Sequence, residues 1–474
     1  MENVTLEENG EKYLDNLNFS VMEGEVMGGV VADYKGYNQL LTLICQNRPV
    51  SFGRVYFDGK MVNHYARTNR YENRVYMIEE RSRLIDSLTV SDNLFVMRKG
   101  FRKYLLNRKV LDEQADILVR ELGVTLNVDR CAGDLSSYDR CIVELLKARL
   151  MGCRLIILDR ISNFLSQIEL QNFQRIIRSE AALGCTFLYF GNHHQEVFQI
   201  ADRAALFQFG MIRKIFEKGE LGDEAIAPYI PSFHLTGDPV SISGETAALT
   251  FDRVSDGINP EISFSVGKGE CLMVWDTDNQ SWQTIAGILS GDLGFGSGGI
   301  YLSGKRLRGT EPVSFLQEGV VIIPDNPLET SLFKDLSYME NLTFLLDRKV
   351  RYGYVKKSHL KSVYREYKER VGDCIDAVNI ETLSQKEKYG LVYYRVHLLN
   401  PKVVVCVQPL AKGDMNSRRY VLYLIQELKN RGISVIILTS NIADNMDVSD
   451  RMLIMQGGGI AAEYQKDEFD KVKW

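Results

Sequence analysis

Two periods of apolar and polar residues run along the chain. Short unbroken apolar runs recur, as in "VMGGVV" (26–31), "RLIILD" (154–159) and "KVVVCV" (402–407). Each is followed by a stretch with helical spacing: Leu40 to Ile44 after the first, "IELQNFQRIIRSEAAL" after the second, "SRRYVLYLIQELKN" after the third. Short continuous runs alternating with amphipathic helices predict strands buried on both faces, hence an α/β fold with a mainly parallel sheet. Ahead of these lies a β-rich start ending in a "GxxYxxGK" hairpin, and then a charged, helix-patterned middle section.

The whole pattern occurs twice. "FSVMEGE" at 19–25 returns as "FSVGKGE" at 264–270, and "GRVYFDGK" at 53–60 returns as "GGIYLSGK" at 298–305. Both pairs are offset by 245 (264 − 19 and 298 − 53). Further on, "LTVSDNLF" echoes "LSYMENLT", "DLSS" echoes "TLSQ", and "IADRAALFQFGMI" echoes "VSDRMLIMQGGGI", with an offset of 248 (450 − 202). A constant spacing through ordered landmarks predicts two copies of one domain. Residues 1–225 form the first, 247–474 the second, and the Pro/Gly/Ser-bearing stretch 226–246 the linker.

Composition narrows the class. The 474 residues carry a net charge of −5, which argues against bulk nucleic-acid binding, so no nucleic-acid partner is expected. The acidic, polar start "MENVTLEENGEKY" reads as neither signal nor transit peptide. The apolar runs fall far short of the roughly 20 residues a membrane span needs. Eight cysteines without a CxxC pair read as free thiols, and no metal site is expected.

The first apolar run, a turn and a helix frame "VVADYKGYNQLL" (30–41), where a phosphate-binding loop would sit. Such a loop works because glycines let backbone N–H groups curl around phosphate at a helix N-terminus. A lysine then reaches the phosphates and a Ser/Thr hydroxyl holds Mg²⁺. With "AGDLSSYDRCIVELLKARL" (132–150) as a signature loop and helix, "RLIILDR" (154–160) as a Walker B strand, and the two closing hairpins, the chain resembles an ATP-binding cassette ATPase. More narrowly, it is similar to the fused two-cassette subunit of ribose-, galactose- and xylose-type importers. The resemblance implies two tandem P-loop-type domains, each a mainly parallel sheet with an antiparallel β subdomain and a helical subdomain.

Carried over by that resemblance, the nucleotide-site positions are Gly36, Tyr37, Asn38, Gln39, Glu80, Ser136 and Asp159 in the first copy, and Ser384 and Asp414 in the second. Most are degenerate. Tyr37 stands at the lysine, Asn38 and Gln39 at the Ser-Thr pair, and Val31 and Tyr34 at two glycines; Lys35 comes two residues early. The second loop, "WDTDNQSWQTI" (275–285), has Trp282 at the lysine and no glycine. Asp276 and Asp278 lie in it, and each carboxylate at roughly 5 Å from a phosphate costs about 3 kcal/mol at an effective dielectric near 20. Arg160 replaces the general-base glutamate, and Val407 and Gln408 replace the Asp-Glu pair of the second copy. Asp325 matches Glu80, and Asn192 and Asn441 take the switch-histidine positions, with His193 and His194 following the first. Tyr138 and Lys386 replace the signature glycines. Phosphoryl transfer needs phosphate loop, metal and water-positioning group together, so no catalytic residue and no cofactor is expected. ATP and Mg²⁺ enter only if the chain is an active importer ATPase with divergent motifs.

The scaffold is kept while the chemistry is lost, which points to a pseudo-ATPase with a scaffold or regulatory role. The resemblance implies a cytoplasmic protein, peripheral at the inner face of the cell membrane. Its partner would be an integral-membrane permease subunit, another membrane-complex protein or an intact ABC ATPase. In such importers the copies face head to tail, which would set Lys386 and Lys388 opposite the Asp33 loop and Arg140 opposite Asp276 and Asp278. Two basic stretches, 98–109 and 348–370, sit at matching places in the copies and predict docking to anionic headgroups or an acidic partner.

Overall fold

The structure is a computed structural model that describes residues 1–64, 67–68, 73–96, 107–191, 193–229, 247–257, 259–279, 281–307, 312–350, 353–442 and 445–472. The chain divides into two compact units, Met1–Ile230 and Pro231–Trp474. The helix Asp223–Ile226 and the turn Ala227–Tyr229 extend the first unit beyond residue 225, because Ile226 is fully buried and Tyr229 packs edge-on against Phe216. The rest of the expected linker, 230–246, lies outside the described residues.

In the first unit a six-stranded sheet runs in the order Met211–Phe216, Arg203–Gln208, Val26–Val31, Thr186–Gly191, Leu155–Asp159, Val75–Ile78. All its pairings are parallel except the closing hairpin. Val26–Val31, Leu155–Asp159 and Thr186–Gly191 are buried at every position, which is why they read as unbroken apolar runs. A second, antiparallel sheet is built on Glu2–Glu8, Glu11–Leu17, Phe52–Phe57 and Lys60–His64. The second unit repeats the order: Gly459–Gln465, Arg451–Gln456, Cys271–Asp276, Ser434–Thr439, Val403–Val407, Val320–Ile323, with its own antiparallel sheet around Ala247–Ser255. Helices such as Gln167–Ala182 and Met415–Asn430 turn apolar faces inward, and the helical parts carry the middle of each copy.

The letters shared by the copies are largely polar scaffolding. Buried Glu25 pairs with Arg203 at 2.7 Å, and buried Glu270 with Arg451 at 2.6 Å. Asn93 in "LTVSDNLF" is fully buried; its Oδ1 accepts from the Ile85 N–H at 2.8 Å and its Nδ2 donates to the Ile85 carbonyl at 3.0 Å. Asn341 in "LSYMENLT" does the same for Phe333, at 2.9 Å each way. A buried amide that satisfies both polar groups of a distant backbone residue holds a loop that has no ladder of its own. No helix among the described residues is long and apolar enough to cross a membrane.

Candidate functional site

The first loop forms as the strand–turn–helix frame predicts. Strand Val26–Val31 ends, and helix Tyr37–Gln46 starts on Gly36, whose φ is 76°. A Cβ at Gly36 would lie 2.0 Å from the Tyr13 carbonyl oxygen, so both the left-handed backbone and the close approach demand glycine. Tyr37 then points inward and is only 1% exposed. Its hydroxyl donates to Asp159 Oδ1 at 2.6 Å. The ring is held edge-on by Phe190 with centroids 5.1 Å apart, and Phe190 in turn packs where Gly29 has no side chain.

Asp159 ends its strand, and Arg160 follows in left-handed geometry with φ 50°. That bend folds the guanidinium back onto Asp159: Nε donates to Oδ1 at 2.9 Å and Nη2 to Oδ2 at 3.0 Å. The guanidinium carbon also lies 5.4 Å and 5.8 Å from the ring centres of Tyr34 and Tyr37. Burial pushes the Tyr37 hydroxyl well above the ordinary phenol range, and the Asp159 charge adds to it, so Tyr37 stays a proton donor. Burial pulls Arg160 down, but the Asp159 hydrogen bond and charge outweigh it, and the guanidinium stays charged. Both oxygens of the retained carboxylate are therefore taken by side chains of this chain.

The second loop reaches a similar state by a different route. Asp276 closes strand Cys271–Asp276 and is fully buried. Its Oδ2 accepts the backbone N–H groups of Ser281, at 2.5 Å, and Trp282, at 2.9 Å; Oδ1 accepts that of Asp278 at 3.3 Å. Ser281 and Trp282 begin helix Ser281–Ser290. A carboxylate thus sits on the N–H groups that would otherwise face a phosphate. Burial raises the pKa of Asp276, while those backbone bonds pull it down. Trp282 donates from Nε1 to Asn279 Oδ1 at 2.7 Å and lies partly buried against the core. Gln408, the counterpart of Arg160, also has left-handed geometry, φ 46°, and its Nε2 donates to Ser440 Oγ at 3.1 Å.

The remaining predicted positions are dispersed. Asn38 and Glu80 are exposed and Gln39 is half-buried. Ser136, Ser384 and Asp414 are helix N-caps, accepting from the N–H of Asp139, Glu387 and Ser417. Tyr138 rests edge-on against Phe173, and the Lys386 ammonium lies 4.9 Å from the Tyr420 ring centre. Asp325 is 3.9 Å from Lys412. Asn192 lies outside the described residues. His194 does not face the loop; its Nε2 is 2.6 Å from Asp223 Oδ1. The charges expected to face the other copy have partners within their own unit. Arg140 pairs with Asp86 at 2.9 Å, and Lys388 donates to the Glu381 carbonyl at 3.4 Å. Asp33 Oδ2 accepts the Phe209 N–H at 2.8 Å, and Asp278 Oδ2 accepts the Gly457 N–H at 2.5 Å. These two aspartates occupy equivalent positions and tie each loop to the neighbouring hairpin turn, a role the sequence reading missed.

A magnesium–nucleotide complex needs open N–H groups, a cation for its phosphates, and a carboxylate free to approach the metal. The residues present do not fit that group. The one retained carboxylate is neutralised by Arg160 and covered by Tyr37, and the second loop carries its own anion. A cavity of about 890 Å³ in the first unit lies elsewhere. It sits at the amino-terminal ends of the parallel strands, beside Phe19, Phe57, Asn73, Leu155 and Thr186.

Comparison with known proteins places this geometry. A family model described as "ABC transporter" matches residues 14–163. The ribose import ATP-binding protein RbsA of Caldanaerobacter subterraneus subsp. tengcongensis is 24% identical over 478 residues, covering 98% of this chain and 95% of that protein. The chain has a tandem cassette fold similar to theirs, and its residues 14–163 match the ABC transporter model. The RbsA protein of Streptococcus agalactiae is 23% identical, covering 100% of this chain and 97% of its own. Among solved structures, archaeal ribosome recycling factor aABCE1, in complex with the stalk protein aP1, matches with TM-score 0.65 at 16% identity. That match covers 98% of this chain and 90% of that one, and it shows the shared tandem cassette fold.

Proposed function

We propose that this tandem cassette is a non-hydrolysing pseudo-ATPase, a scaffold or regulatory subunit of a sugar-import system. The observation that carries the reading is Asp159, whose two oxygens are bound by Tyr37 and Arg160 of the same chain. The carboxylate bound to the N–H groups of Ser281 and Trp282 supports it independently. The ribose import named in the relatives supports a sugar-importer setting. The proposed partner is an integral-membrane permease subunit or another protein of that membrane complex, with an intact ABC ATPase as a further candidate. The proposed location is the inner face of the cell membrane, peripherally bound.

A second reading, an active ATP-hydrolysing importer subunit, draws on the words "ATP-binding" in the relatives' names and on the retained Asp159. It requires Tyr37 and Arg160 to leave that carboxylate. Phosphate release by the purified full chain separates the two. The expected rate with Mg-ATP equals that of an Asp159→Ala variant. Steady turnover that disappears in Asp159→Ala would establish the enzyme reading instead.

A further inference from the structure

Residues 348–365 contain seven lysines and arginines and no aspartate or glutamate, in a chain of net charge −5. They lead into helix Lys357–Val371, whose inner side is set by buried Val363 and Tyr367. Lys361 and Arg365, one turn apart, lie on the exposed side, and Lys356 and Lys357 are exposed where the helix begins. The helix treats its cations in two ways. Toward its C-terminus Lys368 pairs with Asp373 and Asp376, and Arg370 with Glu427. Near its N-terminus, Lys356, Lys357, Lys361 and Arg365 have no carboxylate within ion-pair distance among the described residues.

Helix stability does not account for this. The first turn has no acidic residue, and cations at the positive end of a helix oppose its dipole. An external anionic surface would reverse the sign of that cost. The same patch exposes apolar tips: Tyr354 is 70% exposed and Leu360 37%. Basic side chains interleaved with an exposed aromatic and an aliphatic group match the boundary between lipid headgroups and acyl chains. An acidic protein would satisfy the charges but gives Tyr354 and Leu360 no comparable environment.

We propose that the start of this helix, with Tyr354 and Leu360, is a surface by which the chain itself docks on anionic phospholipid. This does not depend on whether the cassettes hydrolyse ATP. The test is co-sedimentation of the full chain with vesicles of phosphatidylcholine alone, or mixed in equal parts with phosphatidylglycerol. The chain is expected to pellet with the mixed vesicles only. Lys356→Gln, Lys357→Gln and Lys361→Gln together should weaken that partition about a hundredfold at low salt, from about fivefold per basic residue. Tyr354→Ala with Leu360→Ala should weaken it at high salt as well, where screening has already reduced the lysine contribution. Unchanged thermal melting of these surface variants confirms that they are folded. Equal partition onto both vesicle types, or a triple variant that binds as wild type, would overturn the proposal. So would retention on immobilised polyglutamate without any binding to vesicles.

Discussion

Tyr37 opens the helix behind Gly36, at the position the resemblance assigns to a lysine, and its phenol changes what Asp159 can do. The hydroxyl is a donor of fixed position, kept protonated by burial, and it points at the carboxylate rather than at solvent. Tyr37→Phe should therefore cost about 2 kcal/mol, the typical worth of a buried hydrogen bond to a charged group. Arg160→Ala should cost a similar amount, because it leaves a buried carboxylate uncompensated. Both act on Asp159, so the double variant should depart from additivity in a urea-melting cycle; strict additivity would mean the two contacts are independent. Asp276 invites a different experiment. Asp276→Ala exposes the N–H groups of Ser281 and Trp282, and should lower stability by about 2 kcal/mol. Sulfate should raise the melting temperature of that variant more than that of wild type, since an anion can refill the vacated position. Equal sulfate shifts would show that the carboxylate is not standing in for an anion. The strand–turn–helix frame around Gly36 was legible in the sequence. The occupancy was not, because it depends on a carboxylate reaching N–H groups five and six residues onward and on a left-handed Arg160 folding back.

The strands and helices could be read from spacing because burial on both faces leaves an apolar run and burial on one leaves a helical stripe. Val26–Val31 and the helix across 40–44 both appear where the pattern put them. The echo between "LTVSDNLF" and "LSYMENLT" could be read as a repeat but not explained, since the shared asparagine acts through backbone groups eight residues away. The helical part of the second unit also holds a charge feature that periodicity could not reveal. His397, on helix Gln385–Leu399, is 2% exposed, with Nδ1 2.8 Å from the Tyr367 hydroxyl. Burial, then the charges of Arg431, Arg370 and Lys349, lower its pKa from 6.5 to about 3. The unfolded chain therefore takes up this proton first. The contribution of neutral His397 is complete above 6.5 and is lost as pH falls toward about 3. The slope is up to about 1.4 kcal/mol per pH unit. His397→Gln should flatten urea stability against pH in that window; an unchanged slope would assign the acid sensitivity to other groups.

Across the whole molecule, the copies agree where the fold needs them to and differ where nucleotide chemistry would occur. Glu25–Arg203 and Glu270–Arg451 are the same buried pair, and Asp33 and Asp278 make the same tie. By contrast, a Tyr–Asp–Arg cluster closes one loop and a self-bound aspartate the other. Two unrelated sets of contacts thus occupy the two loops. On the proposed pseudo-ATPase reading, neither loop accepts Mg-ATP. Isothermal titration of Mg-ATP into the full chain tests it most directly. The predicted result is no saturable heat, and no rise in melting temperature at the same nucleotide concentrations. Saturable binding that is lost in Asp159→Asn would overturn the pseudo-ATPase reading, because it would show that Tyr37 and Arg160 release the carboxylate to a metal-bound nucleotide.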